Sequence, residues 1–262
     1  MDAELVRRGL ATSRNQAREL ITSHRVRVNG SFAQKAARLT SAADAIELVG
    51  DPPEFVGRGG LKLRAALDRF ELSVDGRRAL DAGASTGGFT DCLLQAGASE
   101  VVAVDVGYGQ LHERLRSDPR VTNHERTNIR TVDAADLGGR FEMVVGDLSF
   151  ISLEKVFGAL AALAEEGADL VLLIKPQFEA GKREASAGRG VITDPAIWTR
   201  VLHQVIAAAL RVGATPRGLV ASPIRGGEGN VEFLGHFCIG GALGLFDVDA
   251  EVAAAVESVS PS

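Results

Sequence analysis

From residue 61 onward the chain alternates short apolar runs with helix-periodic segments, and that alternation constrains its fold more than any other feature. The runs expected as strands are Ala79 to Asp81, Val101 to Asp105, Val121 to His124, Met143 to Asp147, Leu170 to Ile174, Leu219 to Ala221 and Phe233 to Ile239. Helical spacing falls at Leu61 to Leu72, Gly88 to Ala96, Gln110 to Leu115, Leu153 to Ala164 and Ile197 to Val212. The pattern predicts an α/β body: a mostly parallel seven-stranded sheet, helices on both faces, and ligand loops at the carboxyl ends of the strands. The first fifty residues read differently. A helix capped by Ser13, with Ala17, Leu20 and Ile21 on one face, leads into Val26-Arg27-Val28 and the turn signal Asn29-Gly30. Ser31-Phe32-Ala33 and a strand-like Ala45 to Val49 follow. Gly50-Asp51-Pro52-Pro53 breaks both periodicities. The expected organisation is a small α+β head over residues 1–50, a joining segment over 51–57 and the α/β body over 58–262.

Charge is divided between the same two parts. The chain carries a net −5, yet residues 1–40 hold eight bases against three acids, a local +5 that leaves −10 for the remainder. A basic head on an acidic body suits a polyanionic partner, with Arg7, Arg14, Arg18, Arg25 and Arg27 as candidate phosphate contacts. No aliphatic run approaches the roughly 18–20 residues of a membrane span, and the first residues lack the apolar stretch of a secretory signal, so the expected compartment is the cytoplasm. Cys92 and Cys238 are too few for a disulfide framework and are expected as small buried hydrophobes. The five histidines show no ligand spacing, and no metal is expected. The tail from Ala250 to Val256 is expected as a terminal helix packed on the body, and Trp198, just after the capping Asp194-Pro195, as core.

The loop after the first body strand reads Asp81-Ala82-Gly83-Ala84-Ser85-Thr86-Gly87-Gly88-Phe89. Three glycines permit close approach of a ligand, and the following helix offers free amides. The pattern is G-x-S-x-G-G, not the G-x-G-x-x-G of dinucleotide phosphate loops, which weakens a dehydrogenase reading. The second strand ends in Asp105, whose carboxylate can accept from both hydroxyls of a ribose; together the two elements favour an adenosyl group. Lys62, Asp147, Lys175 and Glu232 stand at or near the same end of the sheet, two bases and two acids. Phe89, Phe150 and Phe178 flank these loops, where stacking on a base and packing beneath the loop are both open.

These residues resemble the FtsJ-like, Rossmann-type class I methyltransferases. The wider set, Gly57 to Leu63, Asp81 to Thr90, Asp105 to Leu111, Asp147 to Leu153, Lys175 to Glu179 and Gly229 to Glu232, resembles the TlyA family, rRNA 2′-O-methyltransferases often labelled haemolysin A. The head resembles the RNA-binding domain of the small-subunit ribosomal protein S-four.

The resemblance implies transfer of a methyl group from S-adenosyl-L-methionine to a cytidine ribose of ribosomal RNA. It implies a cofactor site at Asp81, Gly83, Ser85, Thr86, Gly87, Gly88, Phe89, Asp105, Val106, Asn128 and Asp147. Lys62, Asp147, Lys175 and Glu232 match the family's K-D-K-E tetrad. Leu61 replaces a histidine common in relatives, and the chain lacks the short basic extension that some relatives carry ahead of the first helix. That second departure associates it with the large ribosomal subunit, the small subunit remaining open. A ribose hydroxyl is a weak nucleophile, so it needs in-line placement and a base. Desolvation and a neighbouring cation favour a neutral lysine, which makes Lys175 beside Lys62 the expected base.

Overall fold

The computed structural model describes the chain except residues 12, 13, 23, 51, 52, 182, 183, 185–187, 189, 243, 245, 261 and 262 and the side chains of 15, 16 and 19. The expected Ser13 cap lies outside the described residues. Two units form, residues 1–54 and 55–262.

In the first unit, helices α1 (Asp2–Arg7) and α2 (Arg14–Thr22) pack together beside an antiparallel sheet ordered β2-β1-β3, with β1 at Val26–Val28, β2 at Ser31–Phe32 and β3 at Ile46–Leu48. Leu5, Ala17, Ile21, Val26 and Val28 form its core. Asn29 and Gly30 both take positive φ, 51° and 80°, the geometry a two-residue hairpin of this twist requires. Strand alternation turns Val26 and Val28 inward, so Arg27 lies on the opposite face between its cross-strand neighbours Phe32 and Glu47.

The second unit begins at Phe55, inside the expected joining segment, because that ring is buried against Gly60. Its sheet has the order β6-β5-β4-β7-β8-β10-β9. The strands are β4 (Arg78–Ala82), β5 (Glu100–Val104), β6 (Val121–His124), β7 (Phe141–Gly146), β8 (Ala164–Ile174), β9 (Ala214–Ala221) and β10 (Phe233–Ile239). All run parallel except β10, which is antiparallel to both β8 and β9. Helices α3 (Gly59–Arg69) and α4 (Gly88–Gln95) contribute to the core on one face. The short helix α5 (Glu113–Arg116) precedes β6, and helix α6 (Phe157–Leu163), the long helix Pro195–Arg211 and the terminal helix Val248–Glu257 contribute to the core on the other face. Trp198 is buried there, its indole nitrogen donating to the Ile192 carbonyl at 3.1 Å.

The helix expected from Leu153 to Ala164 is divided: a 3-10 turn at Leu153–Lys155 precedes α6, and Ala164 already belongs to β8, where it pairs with Phe141. Cys92 is buried as expected, whereas Cys238 is only partly covered. Strand order reverses across β4, whose neighbours β5 and β7 are reached by crossovers in opposite directions, so a crevice opens above its carboxyl end.

Candidate functional site

Above that crevice lies a cavity of about 450 Å³ lined by Gly83, Ser85, Asp105, Val106, Asn128 and Asp147, among others. Gly83 takes φ 86°, and a Cβ there would stand 2.8 Å from the Asp147 carbonyl oxygen, so a side chain would separate the loops after β4 and β7. Asp105 is fixed by two backbone donors: Ser85 N–H at 2.8 Å on one carboxylate oxygen and Gly107 N–H at 2.6 Å on the other. Each oxygen retains a lone pair, the arrangement that receives a vicinal diol.

Not every residue expected at the cofactor lines this cavity. Thr86, Gly87, Gly88 and Phe89 do not. A Cβ on Gly87 would meet Leu115 within 2.3 Å, and one on Gly88 would meet the Gly60 nitrogen at 2.9 Å. These two glycines therefore let α4 approach its neighbours. Thr86 faces Gly57, where its Oγ1 would lie 2.7 Å from an added Cβ, and Phe89 is buried against Gly59.

Asp81 is also away from the cavity wall, fully buried at the end of β4. One carboxylate oxygen accepts from the Thr90 hydroxyl at 2.6 Å, and the other is buried with no partner. Burial pushes its pKa up to about 7; the Thr90 hydrogen bond opposes the rise, and the charges of Asp147 and Asp105 add to it. The folded protein thus binds a proton that the unfolded chain has released. The free protein loses stability as pH rises from about 4 to about 7, and the full penalty, on the order of 4 kcal/mol, persists above that window. Asp81→Asn is expected to raise the melting temperature of the cofactor-free protein at pH 8 and to change it little at pH 4. An equal effect at both pH values would show that the carboxylate titrates in the fold as it does in the unfolded chain.

The four ionisable residues meet as two adjacent pairs. Lys62 Nζ lies 2.5 Å from Glu232 Oε2, with both side chains buried, and Lys175 Nζ lies 2.5 Å from Asp147 Oδ1. The topology explains the convergence. Because β10 is antiparallel and Phe233 pairs with Ile174, Glu232 at its start falls opposite Lys175 at the end of β8. Asp147 follows β7 directly, and Gly59, one turn ahead of Lys62 on α3, would place a Cβ 3.8 Å from Asp147 Oδ2. Buried ion pairs contribute little net stability, since desolvation offsets most of the attraction, so the convergence of two pairs on Asp147, which lines the cavity, points to chemistry.

Supporting residues were not evident from the sequence. Ser149 accepts from Lys175 Nζ at 2.9 Å and lines the cavity. A Cβ on Gly226 would stand 2.5 Å from Glu232 Oε1, and Asn230 staples the same loop by accepting from Ile192 N–H and donating to the Gly190 carbonyl. Phe150 is 90% exposed at the cavity rim, its ring 5.2 Å from that of Phe178. Of the three motif phenylalanines, Phe89 packs inside and Phe150 faces solvent.

In the head, most candidate phosphate contacts have internal partners. Arg7 bonds Glu4, Arg14 and Arg18 both reach Asp2, and Arg25 donates to the Val49 and Gly50 carbonyls. Helix α1, which sequence periodicity did not indicate, supplies those carboxylates.

The chain matches the FtsJ-like methyltransferase family over residues 55–238 and the S4 domain over residues 2–46. It is 51% identical over 234 residues to the 16S/23S rRNA (cytidine-2′-O)-methyltransferase TlyA of Mycobacterium tuberculosis, covering 89% of this chain and 87% of that one. It is 38% identical to Hemolysin A of Brachyspira hyodysenteriae, covering 88% and 96%. Among solved structures, a protein of Streptococcus thermophilus named as a hemolysin superposes with a TM-score of 0.80 at 39% identity, covering 98% and 94%. Among the described residues no helix is long and apolar enough to cross a membrane.

Proposed function

The chain belongs to the FtsJ-like methyltransferase family, and on that premise we propose that it methylates the 2′-hydroxyl of a cytidine in ribosomal RNA, with S-adenosylmethionine as donor. The observation that carries this reading is the convergence of two ion pairs, Lys62–Glu232 and Lys175–Asp147, of which Asp147 lines the cavity that contains a fixed Asp105. The donor set fits the cofactor. Asp105, which lines the cavity, has no ion-pair partner among the described residues, a negative charge left for a ligand, and Asp81 beneath the same loop keeps a buried oxygen unbonded. Asp105 would hold its ribose hydroxyls, the Gly83–Ser85 backbone its amino acid end, and Val106 and Asn128 its base. When bound, the cofactor supplies an electrophilic methyl on a sulfonium leaving group.

The chain's own residues do the rest. In its neutral form, reached when the ammonium gives up a proton to solvent, Lys175 Nζ accepts the proton that the RNA hydroxyl releases, with Asp147 and Ser149 fixing the direction of the amine. Lys62, held by Glu232, faces the developing charge on the hydroxyl oxygen. The positive head brings in structured RNA through phosphate contacts that give affinity more than sequence choice. Such a substrate places the protein in the cytoplasm.

Incubating the protein with labelled methyl donor and separated ribosomal subunits tests the reading. The label is expected in RNA, at a ribose whose 3′ linkage resists alkaline cleavage, and the subunit that takes it up is identified directly. Label on a base, or none despite bound cofactor, overturns it.

A further inference from the structure

A second site lies in the head, formed by residues other than the arginines that pair internally. A groove of about 350 Å³ is lined by Phe32, Gln34, Lys35, Ala37 and Arg38. Phe32 sits on the edge strand β2, is 43% exposed, and belongs to no core cluster. The guanidinium of Arg27 stacks 4.6 Å from its ring centroid, and the His24 ring stands 6.2 Å away, tilted by 32°. The Nε of Arg27 is buried without a hydrogen bond. Lys35 and Arg38 have no ion-pair partner among the described residues, unlike Arg7, Arg14 and Arg18. Of the nearby acids, Asp44 bonds Asn29 Nδ2 and the Ser41 amide and feels the charge of Arg38 without forming an ion pair with it, and Glu47 flanks Arg27 across the sheet.

An exposed ring with a stacked guanidinium, two unpaired cations and one amide side chain has the chemistry that recognises a splayed-out nucleotide. The base stacks, the amide reads its edge and the cations take the flanking phosphates. A duplex offers no free base face to such a ring. We propose that this groove binds one unpaired nucleotide of the RNA substrate, an anchoring site separate from the ribose that is methylated. The proposal rests on the RNA-modifying function and adds the kind of RNA element that the head selects.

The test uses the full chain and a short single-stranded RNA containing one 2-aminopurine, whose fluorescence falls on stacking. Binding is expected to quench the single strand and to leave the same RNA unquenched when annealed to its complement. Phe32→Ala is expected to remove most of the quench and weaken single-strand binding roughly tenfold, while Phe32→Tyr retains both. Lys35→Gln and Arg38→Gln are each expected to weaken binding and reduce the logarithmic salt slope by about 0.7, leaving the quench at saturation intact. A quench that survives Phe32→Ala with the melting temperature unchanged, or tighter binding of the duplex, overturns the proposal. Methyl transfer to ribosomal RNA by the wild-type protein is scored in parallel. Transfer without a Phe32-dependent quench removes the nucleotide site and leaves the enzyme; the opposite result removes the enzymatic reading and leaves the site.

Discussion

Lys175→Met is expected to lower single-turnover methyl transfer by about 10²–10⁴-fold, the range a positioned general base contributes, while cofactor affinity changes only a few-fold. Lys175 reaches the rim as the residue after β8, and its amine is held from two directions, by Asp147 at 2.5 Å and by Ser149 at 2.9 Å. Methionine keeps the apolar stem that crosses the buried part of the site and removes only the amine. Asp147 then loses its cation but remains partly open to solvent, so the fold tolerates the change better than loss of a sealed partner. Rapid-quench kinetics at saturating RNA and donor, with calorimetry for donor binding, separate chemistry from affinity. A rate within tenfold of wild type would assign the proton to another group.

Asp105→Ala is expected to have the largest effect on donor binding, about 10²-fold or more. The carboxylate accepts from two backbone amides of its own chain, Ser85 and Gly107, and is thereby aimed before any ligand arrives. Removing it deletes charge-assisted hydrogen bonds to a diol, each worth about 1.5–3 kcal/mol, and leaves those two amides without an acceptor. Asp105→Asn retains one acceptor oxygen and is expected to fall between wild type and alanine. Calorimetric titration with S-adenosylhomocysteine, a donor product with the same ribose, measures the series; affinities equal across all three proteins would place the ribose elsewhere.

The sheet was legible because parallel strands buried on both faces read as continuous apolar runs, as Val101 to Val104 and Leu170 to Ile174 do. The backward extension of β8 was not, since Glu165-Glu166-Gly167 carries no strand pattern and the pairing of Ala164 with Phe141 comes from its neighbour. Helix α1 is six residues long, too short for periodicity to register, and its burial of Leu5 depends on the rest of the head. At the site, the ionisable residues were visible because Asp147, Lys175 and Glu232 adjoin strand ends and Lys62 lies in the first turn of a helix. The glycines were ambiguous for a physical reason: one at φ 86° lets two loops touch and another lets two helices touch, and a sequence records only that a side chain is missing.

Glu232 and Lys62 are 170 residues apart in the chain, and the strand that delivers Glu232 is inserted between two others, not added at an edge. Closing so long a loop is entropically late. The donor pocket, built from β4, β5 and β7, can therefore take shape while the reactive quartet is still incomplete. The Lys62–Glu232 pair exists only once that strand is seated between its two neighbours.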